Sequence, residues 1–149
     1  MPKASLSVCL CFAAFVVSAC SRESTSEQSA EAVNFQKQLQ TQLISAKPGD
    51  IIVIPAGNHS INRGLSLNVS GVTLRGEGMD RSILSFKSQI QGAEGLLVNA
   101  SDFTIEDLAI EDTAGDGLKI NEGKNIIIRR VRVEWTDGPD EDNGAYGIY

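Results

Sequence analysis

The sequence is poor in cysteine, histidine and basic side chains. It has three cysteines, one histidine, and 13 lysines and arginines against 19 acidic residues. His59 is the only imidazole and lies early in the predicted fold, on its first strands, so no Ser-His-Asp or Cys-His arrangement is expected, and a metal site there would lack a second histidine or a cysteine. The formal net charge of −6 argues against nucleic acid, or an anionic membrane surface, as a partner bound through charge.

Long apolar runs are also scarce, and the exception lies at the N-terminus. Residues 6–17 form an apolar stretch too short to span a membrane stably, and Lys3 precedes it. The stretch ends in Val17-Ser18-Ala19-Cys20, which resembles the lipobox of bacterial lipoproteins. We therefore predict a signal peptide over residues 1–19, with a plain signal cleaved near Ala19 or an uncleaved anchor as alternatives.

The lipobox resemblance implies a lipid on Cys20, which would attach the exported chain to a membrane. The serine at position 21 favours the outer membrane, facing the periplasm or the cell surface. Cys9 and Cys11 would leave with the signal, so the mature chain would contain no disulfide and would depend on burial for its stability.

The next segment changes from polar to periodic. Residues 20–32 lack an apolar period and are predicted to be a flexible tether. From Val33 to Ala46 a set of apolar residues follows a helical stripe, and Pro48-Gly49 ends it; the set is Phe35, Leu39, Leu43 and Ile44. We predict a helix that caps the first coil of a solenoid, with a partner-binding helix as the alternative.

The centre of the chain is a repeat. Residues 95–111 and 117–134 are near-copies with a period of about 22 residues, which is typical of a solenoid. Each copy has three short runs with an apolar residue at every second place, the period of a strand with one buried face. No Asn-Gly or Asp-Gly pair lies between the runs of a copy to form a hairpin, so a chain that coils through parallel strands is favoured.

The Gly-apolar-x-apolar-Asn units, with the opening Gly49-Asp50-Ile51-Ile52-Val53-Ile54-Pro55, resemble right-handed parallel β-helix repeat proteins of the pectin-lyase-like fold. The resemblance covers roughly residues 33–149. It implies an all-β, right-handed parallel β-helix with an N-terminal capping α-helix. Because Gly147-Ile148-Tyr149 begins another coil without a cap, we interpret the domain at 33–149 as incomplete.

Stacked copies bring equivalent residues together. Asn68, Asn99 and Asn121 are predicted to form an asparagine ladder, as in the family. On the outward faces, exposed opposite charges would alternate along Arg75, Glu106 and Arg129. A further outward column would read Lys87, Glu111 and Glu134, where the two glutamates repel unless a cation screens them.

An acidic insert marks the candidate site. Residues 136–144 interrupt the repeat and should overhang the outer face of the first strands, where family members that act on polysaccharides bind substrate. Lys119, Trp135 and Tyr149 would line this groove, and Trp135 would either stack on a sugar ring or cover a coil edge. The insert carboxylates form a candidate calcium loop, although a solvated turn is the simpler interpretation; they are Asp137, Asp140, Glu141 and Asp142.

Two functions remain open. The first is an exported, lipid-anchored β-helix that binds or processes a polysaccharide in the manner of a polyuronate lyase or epimerase. In that case Lys119 or Arg132 could act as the base after a downward pKa shift, with catalytic residues otherwise unassigned. The Asp-Pro-His motif of alginate epimerases is absent. The second is a non-catalytic cell-surface scaffold or assembly protein.

Overall fold

The computed structural model describes residues 23–144 and 146–149. One helix, α1 (Glu23–Ser45), precedes nine strands. The strands are β1 (Ile51–Val53), β2 (Gly57–Ser60), β3 (Arg63–Leu67), β4 (Thr73–Arg75), β5 (Ser82–Ser85), β6 (Gln91–Asn99), β7 (Thr104–Glu111), β8 (Leu118–Glu122) and β9 (Ile127–Glu134). The predicted signal peptide and the predicted lipidation site at Cys20 lie outside the described residues.

The strands build a parallel β-solenoid of about four turns. We group them in three columns. The first column contains β3, β6 and β8. The second contains β1, β4 and the N-terminal halves of β7 and β9, and the third contains β2, β5 and their C-terminal halves. Every pairing between these strands is parallel, as the repeat predicted.

The inward residues stack from coil to coil. Leu96 pairs with Leu118, which bridges to Ile148, and Ile105 pairs with Ile128. Both columns were predicted from the period of two, and both are confirmed. Buried side chains from all three columns form one continuous core, so each coil supports its neighbours through apolar contact.

The chain bends where polar residues adopt left-handed backbone conformations. Asp102 and Asn125 have φ angles of 53° and 56°, on equivalent corners of successive coils. Asn125 donates a hydrogen bond to Asp102 at 2.8 Å. Short amide and carboxylate side chains tolerate this conformation best, so these residues fix the corner between the first and second columns.

Helix α1 caps the open edge of the first coil. The Gln40 side-chain oxygen accepts from the backbone N–H of Ser66 at 3.0 Å, and the Gln40 amide donates to the Ser66 carbonyl at 3.1 Å. Gln36 accepts from the N–H of Asn62 at 2.8 Å. These amides take the place of a neighbouring strand for the backbone groups of Ser66 and for the N–H of Asn62.

The helix differs from its sequence prediction in two respects. It begins at Glu23, so most of the predicted tether is helical. Glutamate and alanine in this segment favour a helix. Leu39 and Leu43 are buried as predicted, but Ile44 is 65% exposed because the helix lies on the solenoid along a narrow contact line.

Candidate functional site

The outer face of the first column carries the candidate groove. Ser66 pairs with Leu97, and Leu97 pairs with Lys119, so their side chains lie side by side on successive coils. Tyr149 extends this row, since its N–H donates to the carbonyl of Leu118 and its carbonyl accepts from Ile120, both at 2.9 Å. The structure therefore brings Lys119 and Tyr149 together.

A hollow of about 390 Å³ lies on the same face. Its lining combines one guanidinium, one carboxylate and polar or small residues around Leu97; the residues are Arg63, Gly64, Leu65, Ser66, Gln91, Gly92, Glu94 and Leu97. Glu94 also reaches Lys119. The hollow and the Lys119 region therefore form one continuous surface along the stacking direction.

Lys119 is held by two carboxylates. Its ammonium lies 3.3 Å from Glu94 and 3.3 Å from Asp116. These hydrogen bonds, from Glu94 first and then Asp116, raise the pKa of Lys119 above 10.5. The amine is therefore charged at neutral pH, and the prediction that a lowered pKa would make Lys119 a base is wrong.

An exposed aromatic pair flanks Lys119. The rings of Tyr146 and Tyr149 have centroids 5.2 Å apart at a tilt of 34°, and the two residues are 55% and 60% exposed. The Lys119 ammonium lies 5.4 Å from the centre of the Tyr149 ring. This is a cation–π contact, and it orders Tyr149 while the pair still presents apolar ring surface to solvent.

Sequence reasoning missed Glu94, Asp116 and Tyr146, although the repeat contains their signal. Each directly precedes the glycine that opens a first strand. Gly95 donates to the carbonyl of Asp116 and Gly117 to that of Tyr146, so the three residues stack in a row. Aligning the position before each glycine would have placed both carboxylates next to Lys119.

Trp135 and the insert follow β9 and contact earlier coils. The Trp135 indole N–H donates to the carbonyl of Thr113 at 2.7 Å, and the side chain is partly buried. Of its two predicted roles, this contact matches the cover over a coil edge. Asp137 accepts from Lys87 at 2.8 Å, which ties the insert to the preceding coil.

The insert carboxylates do not converge. Asp137 faces Lys87, and Asp140 accepts from the backbone N–H of Asp142 at 2.9 Å. In the described part of the chain no three histidine, cysteine or acidic side chains form a cluster that could hold a metal ion. Calcium binding by this loop, including Glu141, stays a prediction.

The asparagine ladder is shorter than predicted. Asn99 donates to Asn68 at 3.0 Å. The register then shifts, and Asn99 pairs with Glu122. The prediction that Asn121 would occupy the third position is therefore wrong, because a β-bulge in β8 moves it out of the row.

The outward charges of the second column are more buried than predicted. Arg75, Glu106 and Arg129 do stack, but Glu106 is only 1% exposed. The arginines donate to its two carboxylate oxygens, Arg75 at 2.5 Å. These bonds, that from Arg129 first, hold the pKa of Glu106 below its ordinary value.

The outward row of the third column differs from its prediction in one residue. Ser85, not Lys87, pairs with Glu111, which pairs with Glu134. The extra residues between Ser85 and the corner direct Lys87 to the insert. Arg132 lies between the two glutamates, bonding Glu111 at 2.9 Å and contacting Glu134, so it is the cation that screens them.

His59 has a structural environment. Its ring stacks on Phe35 of α1 at 3.9 Å, and its Nε2 lies 2.9 Å from the carbonyl oxygen of Pro55. It lies in the third column, away from the groove.

Comparison with protein-family models, with curated proteins and with solved structures finds no match. Among the described residues, no helix has the length and apolar character required to cross a membrane. The case for a function therefore depends on the groove itself.

Proposed function

We propose that this chain is a polysaccharide-binding β-solenoid whose groove is the outer face of the first column. The observation that carries the proposal is the exposed pair of Tyr146 and Tyr149, ordered by Lys119 and continuous with a polar hollow. Aromatic faces offer the apolar surface on which a sugar ring stacks, while the hollow offers groups that bond hydroxyls.

The direction of the groove suits a polymer. Equivalent positions on successive coils repeat at one strand spacing, about 4.8 Å, so a chain of sugars lying along the stack would meet one outward side chain from each coil at a regular interval. Ser66, Leu97, Lys119 and Tyr149 form such a row. The resemblance to right-handed parallel β-helix proteins of the pectin-lyase-like fold is in accord with this placement.

Binding without catalysis is the version we favour. Lys119 is charged and paired with two carboxylates, and His59 stacks on Phe35 outside the groove. Neither is poised to remove a proton, which also favours the second candidate, a cell-surface scaffold. In either role we infer export, with a lipid on Cys20 anchoring the chain at the outer membrane and calcium as a possible ligand of the insert.

The test is a binding assay with the full chain against a panel of insoluble and soluble polysaccharides. We expect at least one polymer to bind, and the double variant Tyr146→Ala/Tyr149→Ala to weaken that binding about tenfold or more, as loss of stacking area predicts. The matched control is Ile51→Ala/Val53→Ala, which trims two residues that are 52% and 55% exposed on the second column. If no polymer binds, or if both double variants weaken binding equally, the groove assignment is refuted.

A further inference from the structure

The charge distribution around the groove limits which sugars it can hold. This inference rests on the proposed function and concerns the charge of the polymer. The Lys119 ammonium contacts the ring of Tyr149, and two carboxylates at 3.3 Å already outweigh its charge. A ligand carboxylate would have to displace Glu94 or Asp116, each of which is fixed on the same face.

The insert adds further negative charge. Asp140, Glu141 and Asp142 are exposed, and among the described residues no salt bridge links them to a cation. They lie shortly before Tyr146 in the chain. A polyanion stacked on the tyrosines would therefore approach uncompensated carboxylates.

Arg63 is a positive charge at the groove that could attract an anionic sugar. It is exposed and lines the hollow, but it shares that lining with Glu94. At the groove, Arg63 and Lys119 lie beside two carboxylates, Glu94 and Asp116. The segment that leads to Tyr146 adds three exposed carboxylates, namely Asp140, Glu141 and Asp142. The local field is negative, so it selects against anionic sugars.

We propose that the groove binds a polysaccharide whose sugars carry no negative charge, and that it discriminates against polyuronates of the same backbone. Sugar faces stack on Tyr146 and Tyr149, and hydroxyl groups bond the polar lining of the hollow. The cluster of Lys119, Glu94 and Asp116, in which the carboxylates outweigh the ammonium, then acts as a hydrogen-bonding wall beside the tyrosines.

The experiment compares polymers that differ only in charge. Cello-oligosaccharides are paired with their C6-oxidised glucuronate forms, and polygalacturonate is paired with its methyl ester. At low salt, where the screening length is about 30 Å, we expect the uncharged member to bind about tenfold more tightly. At about 1 M salt, where it falls to about 3 Å, the difference should shrink.

A charge variant tests the cause. Glu94→Gln/Asp116→Asn removes both partners of Lys119, so we expect uronate binding to strengthen and the difference within each pair to narrow. Glu77→Gln/Asp80→Asn is the matched control, since it removes two ion-paired carboxylates near the corner between the second and third columns. This control should leave the difference unchanged.

The outcomes separate the two proposals. If the uronate member binds as tightly as the uncharged one, or gains binding through added calcium, the discrimination is refuted while polysaccharide binding stands. If neither member of any pair binds, the proposed function fails, and the discrimination fails with it. Tighter binding of the uncharged member that is insensitive to salt and to Glu94→Gln/Asp116→Asn also refutes the electrostatic cause.

Discussion

Adjacent isoleucines on β9 provide the sharpest test of the coil register. Ile128 pairs with Ile105 and packs against the core, whereas Ile127 points outward and is 51% exposed. The two residues have the same side chain, the same strand propensity and neighbouring positions. Any difference between their substitutions therefore reports on which face of the strand is buried.

The expected magnitudes follow from burial. Ile105 is fully buried, so Ile105→Ala should lower the free energy of unfolding by about 2–5 kcal/mol. Ile128 is partly buried and has a stacked neighbour on one side, so Ile128→Ala should cost roughly half as much, about 1–2 kcal/mol. Ile127→Ala removes half-exposed surface and should stay within about 0.5 kcal/mol.

Urea unfolding followed by circular dichroism measures all three variants. The order of destabilisation should be Ile105→Ala, then Ile128→Ala, then Ile127→Ala. Aspartate substitutions at the same two positions should differ more. Ile128→Asp places an unpaired charge against the core at a cost of several kcal/mol, whereas Ile127→Asp leaves its charge in water. Equal losses at 127 and 128, or a larger loss at 127, would refute the register and the placement of the groove with it.

Two further predictions concern Glu106 and Gly76. Because the arginines lower the pKa of Glu106, its contribution to stability is present above the unfolded value near 4.5 and is lost as pH falls through the folded value. The melting temperature of Glu106→Gln should therefore lie below that of the wild type at neutral pH, and the difference should shrink below about pH 4.5. A difference that stays constant from neutral pH to below pH 4.5 would contradict the stabilising role given to ionised Glu106. A Cβ at Gly76 would lie 2.1 Å from the carbonyl oxygen of Asp107, so Gly76→Ala should lower the free energy of unfolding by about 1–3 kcal/mol. The control is Gly147→Ala, which should be tolerated because its Cβ would meet Val133 at 3.5 Å. Equal melting temperatures for the two variants would count against this corner geometry.

The core of the solenoid was predictable because every copy of the repeat has the same alternation of apolar and polar residues. Alternating apolar residues in residues 95–134 place every second side chain inward, and one rule applied to each copy gave the observed columns. The start of α1 was missed because residues 23–32 have helix-forming composition without an apolar stripe. The period of apolar residues reveals a helix face that packs on the core, and it gives no signal where a helix extends beyond that contact.

Departures from the repeat were harder to predict because each depends on a local change of length. The bulge in β8 adds one residue between the paired positions Ile120 and Glu122, and that extra residue is Asn121 itself, which therefore lies outside the ladder. In the third column, the repeat predicts Lys87 opposite Glu111, but the paired residue is Ser85. A shift of two residues preserves the inward and outward alternation, so the hydrophobic pattern could not detect the error.

The outward rows explain why the site was only partly visible in the sequence. A core position accepts few residue types, whereas an outward position is free to vary, so the repeat says little about which outward side chains act together. Lys119 was visible as an outward residue, but its chemistry depends on Glu94 from the previous coil and Asp116 from its own. The same lysine beside neutral neighbours would be a free cation suited to a uronate, and here it is the centre of a cluster in which two carboxylates outweigh its charge. The charge selectivity of the groove is thus a property of three residues on two coils, which is why it must be tested by removing the carboxylates and not by removing the lysine.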